Sequence, residues 1–326
     1  MKLSQLVTLR HKLEQLFTLS DTTAKDTMSA LVFDAEQIQK FVSVYPFNDN
    51  IDTFTNKLIE IILTMNSNRQ QVLELILICI KEIDTQIEKL AEPYYTSGYI
   101  INDAPAPISV TVDNEDSIRV LPLDENSKDM LINVIRGYTD WQYPTLEIGP
   151  GRGVWTEHLI AGDPLYIVDI RQEYLTATLS KFNDVYRRRV RPYLIKQGEG
   201  DKFADLSDLP QNQFGFIFSW NTFNYFPLSE TISYLRESFK VLRPGGVMMF
   251  SYNNCEIPIC AYNVEVGFKS WMTKKLLTKI CTDLGFEIID TGSIPVYDQV
   301  YWIEIKKPGK LRTVKTHQVL GRIVPV

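Results

Sequence analysis

Histidine, cysteine and long apolar runs are all sparse in this chain of 326 residues, which holds three histidines and four cysteines. Cys79, Cys255, Cys260 and Cys281 show no C-x-x-C spacing and no histidine pair beside them. That pattern argues against a zinc site, predicts no metal, and fits buried free thiols in a reducing, cytoplasmic setting. The longest apolar stretches, around Leu58–Met65 and Val72–Ile80, are interrupted by Glu60 and Glu74 and are too short to span a bilayer. No basic–apolar–small pattern of a secretory signal opens the sequence. Excess positive charge is missing too. A formal net charge of −6 argues against a surface built wholly for nucleic acid, although it leaves a local basic patch open.

Glycine is nearly absent from the first hundred residues, where Gly98 stands alone and only Pro46 and Pro93 break the chain. Apolar residues there recur at helical spacing: Leu6, Leu9, Leu13 and Leu16 in one seam, and Ile76, Ile80, Ile83, Ile87 and Leu90 in another. Ser67-Asn-Arg-Gln70 reads as a capping box for the second seam, and Phe54, Leu58, Ile61, Ile62 and Met65 form a further amphipathic stretch. Residues 1–92 are therefore expected to be a small all-α domain of three or four helices. Its seams either pack on one another or offer a surface to another subunit or a partner. Residues 93–125, with Pro93, Gly98, Pro105, Pro107 and Pro122, read as a linker, within which 108–112 alternates like a strand.

The informative stretch is Thr145-Leu-Glu-Ile-Gly-Pro-Gly-Arg-Gly-Val-Trp155. A short apolar strand enters a turn whose alternate glycines, Gly149, Gly151 and Gly153, let the backbone approach a ligand closely. The dinucleotide pattern G-x-G-x-x-G fails at Val154, so the spacing is E-x-G-x-G-x-G with Glu147 near the strand's end. By itself such a turn could be a plain strand-to-helix connection. The chain beyond it alternates elements. We expect helices at 126–138, 155–161, 174–186, 228–242 and 271–284, with Gly137, Gly162 and Gly285 as stops. Strands are expected at 165–170, 192–196, 214–219, 247–250, 286–291 and 300–306. Asp169 closes the second strand sixteen residues after Gly153, which sets it beside the glycine turn. Arg187-Arg-Arg-Val-Arg191 is a solvated, dipole-stabilised helix end or a phosphate contact. His158 is read as a packed or exposed side chain rather than a base.

Together, E-x-G-x-G-x-G, Asp169, Gln197-Gly-Glu-Gly200 and Leu242-Arg-Pro-Gly-Gly246 resemble the class I S-adenosylmethionine-dependent methyltransferases over roughly residues 126–306. The resemblance implies an α/β fold: a Rossmann-like, seven-stranded, mostly parallel sheet with helices on both faces and an antiparallel last strand, here preceded by the small helical domain and followed by a basic tail, 307–326, expected to be a mobile, solvated end. It implies S-adenosyl-L-methionine as cofactor, held by Glu147, Gly149, Pro150, Gly151, Gly153, Asp169, Ile170, Glu199, Gly200 and Ser219. Asp169 would take the ribose hydroxyls. Glu199 would take the adenine amino group, or Asp201 would if the loop is shifted by two. In the arginine-proline-glycine motif, Gly245 or Gly246 is expected to stop the preceding helix.

Asn221, Asn224, Tyr225 and Tyr252, at or after strand ends, are the candidate acceptor contacts, and no general base announces itself. The expected activity is methyl transfer to a small-molecule or protein acceptor by in-line attack on the sulfonium methyl. The alternative is a non-catalytic protein that keeps the fold within a larger assembly, attached through its helices. Amino-methylation motifs of the N-P-P-[FY] kind are absent, since that place reads Ser219-Trp-Asn-Thr222. Nucleic acid is thus a weaker reading, and membrane association is not expected.

Overall fold

The computed structural model describes residues 2–23, 69–95, 123–195, 205–294 and 300–310, with 317–319 and 322–324. The expected helix at 54–65, Ser67, the strand at 108–112, and Glu199, Gly200 and Asp201 lie outside the described residues.

Helices α1 (Leu3–Thr23) and α2 (Arg69–Ala91) pack against each other through the seams read from the sequence. Leu6, Leu9 and Leu13 are buried on one, Ile76, Ile83 and Ile87 on the other, while Leu90 is exposed. Arg10 joins the pair through Asp84 (Nε–Oδ1 2.5 Å) and also meets Glu14 at 2.8 Å. The next described helix is α3 (Glu125–Tyr138), capped by Asp124, which accepts from the Ser127 amide at 2.9 Å. It runs straight through Gly137 and ends at an extended Thr139.

Seven strands follow: β1 (Thr145–Ile148), β2 (Leu165–Asp169), β3 (Val190–Leu194), β4 (Phe214–Ser219), β5 (Leu242–Tyr252), β6 (Glu287–Ser293) and β7 (Tyr301–Lys306). They form one sheet of order β3-β2-β1-β4-β5-β7-β6. The first five are parallel, and β7 is inserted antiparallel between β5 and β6. Near-continuous burial of β1, β2, β4 and β5 is what a sheet covered on both faces requires, and their unbroken apolar runs supply it. Over β1 and β2 the side chains part by period two: Leu146, Ile148, Tyr166 and Val168 enter one core, Leu165 and Ile167 the other. The first core lies under α6 (Leu228–Val241) and α8 (Lys274–Asp283), the second under α3 and α4 (Gln172–Ser180).

Several expectations are corrected. The first crossover is no α-helix but a single tight turn, Thr156–His158. Its backbone bonds all run back three residues, from His158 to Trp155 (2.9 Å), Leu159 to Thr156 (3.1 Å) and Gly162 to Leu159 (3.0 Å). Gly162 then lies so close to Thr145 that any Cβ would overlap it, so the chain returns at once onto the start of β1. The expected helix over 174–186 is split into α4 and α5 (Asp184–Arg187), because Asn183 starts a new turn by accepting from the Tyr186 amide at 2.9 Å. Strand β3 begins earlier than expected, at Val190, and so takes in Arg191.

The arginine-proline-glycine motif does not stop α6 with a glycine. The helix ends at Val241, and Arg243–Gly246 already belongs to β5, opposite an irregular register between Phe214 and Phe216. Gly245, at φ +82°, takes up that irregularity. Helix α8 starts at Lys274 rather than 271, because the Thr273 hydroxyl accepts from the Leu276 amide (3.1 Å). It ends with paired bonds from Gly285 to Thr282 (2.9 Å) and Phe286 to Cys281 (3.0 Å), a Schellman stop.

One helix was not anticipated. Helix α7 (Pro258–Glu265) lies between β5 and α8 and packs on α1. Glu265 fastens the junction, accepting from the Ser4 amide (2.9 Å) and hydroxyl (2.5 Å). Within the tail, β8 (His317–Val319) and β9 (Arg322–Val324) form a short antiparallel pair. No helix among the described residues is long and apolar enough to cross a membrane, and none of their His, Cys, Asp and Glu side chains cluster in a way that could hold a metal.

Candidate active site

Strands β1 and β4 are neighbours, but the chain leaves β1 toward β2 on one side and returns to β4 on the other. Their C-terminal ends therefore open a crevice, the usual ligand position in sheets of this kind. The cavity there has a volume of about 340 Å³, within the range of small-molecule sites. One wall is the glycine turn, and Gly149, Gly151 and Gly153 all have positive φ, +70°, +55° and +74°.

The three glycines do different work. A Cβ on Gly149 would overlap Thr222 Oγ1, so the loop after β4 closes directly over the turn. A Cβ on Gly151 would meet no protein atom within 4 Å. Gly153 does not line the cavity: a Cβ there would sit 3.0 Å from Thr178 Cγ2 on α4, so its role is close packing. The turn's outward carbonyls are held from α4's side, by Thr178 Oγ1 on Gly151 O (3.0 Å) and Lys181 Nζ on Gly153 O (3.2 Å).

Three carboxyl groups face the cavity. Glu147, at the end of β1, is 3% exposed and its Oε2 has no hydrogen-bond partner. Burial, with Asp169 nearby, pushes it up to about 8 against the opposing Thr156 hydroxyl and Lys181, so near neutral pH this carboxyl holds its proton. Asp169, at the end of β2, accepts from the Arg171 amide at 2.9 Å. Burial raises it, while backbone amides of Arg171, Ile170 and Gly151 and the Arg171 charge pull the other way. Glu230, in the first turn of α6, is pushed up to about 7 by burial.

Of the residues read from sequence, Glu147, Gly149, Pro150, Gly151, Asp169, Ile170, Asn221 and Tyr225 all line this cavity. Ser219 lies beneath it, its hydroxyl donating to Ile148 O at 2.8 Å. Asn224 is a support: Ser251 Oγ accepts from the Asn221 amide (2.7 Å) and donates to Asn224 Oδ1 (2.9 Å). That relay holds Asn221 at φ +57°, a conformation asparagine tolerates better than most residues. Tyr252 is not at the cavity. It is 2% exposed and packs in the core, its ring 6.4 Å from that of Tyr301. His158, half-buried and lowered by burial, stacks edge-on with Trp155 at 6.0 Å. Three of the four arginines of 187–191 bond to protein groups: Arg187 to Leu179 O and Phe182 O, Arg189 to Asp163, Arg191 to Tyr166.

Sequence reasoning missed part of the wall: Trp155, Arg171, Tyr174, Trp220, Thr222, Phe226, Glu230 and Tyr234. Arg171 stands two residues after Asp169 and could have been read from it. Glu230 looked like an ordinary first-turn acid, and nothing in the pattern marks Tyr234 apart from core.

A glycine turn after β1 and an acid closing β2, both on the crevice of a 3-2-1-4-5-7-6 sheet, define a Rossmann-like ligand-binding domain. Residues 145–246, just under a third of the chain, match the family model described as "Methyltransferase domain". No curated protein matches the chain. Similar solved structures include a SAM dependent methyltransferase from Aquifex aeolicus, with 17% identity over 60% of this chain and 94% of that one at a TM-score of 0.43. Others are the N-methyltransferase NodS from Bradyrhizobium japonicum (15% identity, 56% and 96% covered, TM-score 0.43) and the [4+2]-cyclase SpnF (15%, 69% and 95%, 0.45).

Proposed function

We propose that this protein is an S-adenosylmethionine-dependent methyltransferase. The observation that carries the reading is the pairing, in one cavity, of the open glycine turn at Gly151 with the Asp169 carboxylate. The residues fit the cofactor's chemistry. Unfilled space beside Gly151 lets a ligand lie against backbone, and Asp169 supplies an acceptor for two vicinal hydroxyls. Glu147 Oε2, buried without a partner, offers a polar group to the ligand's own polar end. Trp155, Tyr174 and Trp220 supply flat apolar surface for the rest.

The sulfonium makes its methyl group electrophilic, so what remains for the protein is to bind, align and exclude water. The acceptor would enter past the loop after β4, where Asn221 and Tyr225 face the cavity. The domain division is part of the same proposal: residues 1–92 as a helical unit anchored on α7, 93–125 as a connector, 126–306 as the methyl-transfer domain and 307–326 as a basic tail.

The test is calorimetric titration with S-adenosylhomocysteine. Micromolar binding by wild type and a loss of at least tenfold in Asp169→Ala are expected, since charge-assisted hydrogen bonds are worth about 1.5–3 kcal/mol. A folded wild type that binds neither S-adenosylmethionine nor S-adenosylhomocysteine would refute the reading.

A further inference from the structure

Glu230 occupies the third position of α6, counting from Pro227 as N-cap. Glutamate is common at that position because its carboxylate reaches back to the amide of the N-cap residue. Proline has no amide hydrogen, so that bond cannot form here. Nor does the Glu230 carboxylate take any other hydrogen bond or ion pair among the described residues. Instead it forms part of the cavity wall, in company with Tyr225, Phe226 and Tyr234. Phe226 and Tyr234 are stacked, centroids 4.7 Å apart, so these aromatics form a fixed surface rather than loose side chains.

The other charged groups on the cavity have settings of their own. Asp169 is tied to backbone at Arg171, and Glu147 is buried beneath the glycine turn. Arg171 bonds to Tyr174 Oη at 3.1 Å and covers its ring, and Arg152 belongs to the turn itself. A carboxylate without a cation, beside the aromatic side chains of Tyr225, Phe226 and Tyr234, is the chemistry that recognises an organic ammonium.

We infer that Glu230, with the aromatic wall of Tyr225, Phe226 and Tyr234, is the subsite for the methyl acceptor, and that the acceptor is an amine. The inference rests on the methyltransferase reading above. An ammonium docked on Glu230 gives one proton to the carboxylate. The freed nitrogen lone pair then forms the N–C bond to the methyl group as the C–S bond breaks, its electron pair staying on sulfur. The product leaves as a methylated ammonium, and the single proton released overall is the one Glu230 passes to water.

Ligand-observed NMR on the full chain, loaded with S-adenosylhomocysteine, tests this. The probes are benzylamine, 2-phenylethylamine and putrescine against benzyl alcohol, 2-phenylethanol and phenylacetate, with wild type and Glu230→Gln. Amines are expected to bind wild type at least tenfold more tightly than alcohols of the same skeleton, and to lose that advantage in Glu230→Gln. S-adenosylhomocysteine affinity and melting temperature should stay close to wild type in the variant. Equal binding of amine and alcohol, absence of binding by every amine, or unchanged amine affinity in Glu230→Gln overturns the inference. A tenfold loss of S-adenosylhomocysteine in Glu230→Gln also overturns it, by placing Glu230 in the cofactor's cradle. If wild type fails to bind S-adenosylhomocysteine at all, the parent reading fails and this one with it.

Discussion

Gly149→Ala puts the construction of the site to a quantitative test. At φ +70° an alanine there pays about 1–2 kcal/mol for a left-handed backbone. Its Cβ would also overlap Thr222 Oγ1 and lie 2.8 Å from Cγ2 and 3.1 Å from Cβ of the same threonine. Thr222 can swing its hydroxyl away at little cost, since Oγ1 is held only by carbonyls of Ile148, Gly149 and Trp220 at 3.4 Å each. Its Cβ is fixed to the backbone and cannot swing, so a residual clash of overpacking size, about 1–3 kcal/mol, remains. The total is about 2–5 kcal/mol, a fall in melting temperature of roughly 5–15 °C for a domain of this size.

The assay is thermal unfolding of Gly149→Ala, Thr222→Ala and the double variant. Thr222→Ala alone should cost under about 1 kcal/mol. The double variant should recover the packing part of the Gly149→Ala loss and retain the backbone part. Strict additivity, with coupling below about 0.3–0.5 kcal/mol, would refute the claim that the loop after β4 sits directly on the turn.

Gly151→Ala, with φ +55° and no atom near its Cβ, should cost only about 1–2 kcal/mol in unfolding yet weaken S-adenosylhomocysteine tenfold or more; equal affinity would show that nothing binds against that backbone. Glu147→Gln should flatten the pH dependence of stability. The folded carboxyl, about 8 against an ordinary 4.5, makes stability greatest below about pH 4.5 and lost as pH rises through 8, so the variant's gain in melting temperature should be larger at pH 9 than at pH 5. Gly292→Ala would drive a Cβ into the indole of Trp302, which Glu304 pins at 3.0 Å, and should destabilise by about 1–3 kcal/mol while leaving S-adenosylhomocysteine affinity unchanged.

The sequence made strands β1, β2 and β4 legible because strands buried on both faces must be continuously apolar, and these are. The glycine turn and Asp169 set β1 beside β2, while the place of β4 came only with the family resemblance. What failed has physical reasons. Trp155 and Leu159 are spaced like one face of a helix, yet two buried residues four apart are equally satisfied by a tight three-residue turn. Helix α7 has Cys260, Ala261, Asn263 and Val264 all buried, so it offered no polar face to reveal its period. Tyr252 was placed by its nearness to a strand end, but the side to which a strand residue points is set by period two, and Tyr252 points into the core. Glu230 was invisible for another reason: an acid in a first turn reads as a cap until the proline before it is noticed.

The crevice between β1 and β4 is also a seam in the chain. Everything on one side, β1 to β3, comes from residues 145–194, and everything on the other, β4 to β7, from residues 214–306. Across that seam the turn's contact is with Thr222, and the cavity draws Asp169 from the first half and Glu230 from the second. The cavity wall is completed only by both halves, so a ligand that touches both acts as a tie between two separately encoded pieces. At one hundred times its dissociation constant such a ligand adds about 2.7 kcal/mol to the assembled state. The folded domain and its occupied pocket are then, in energetic terms, partly the same thing.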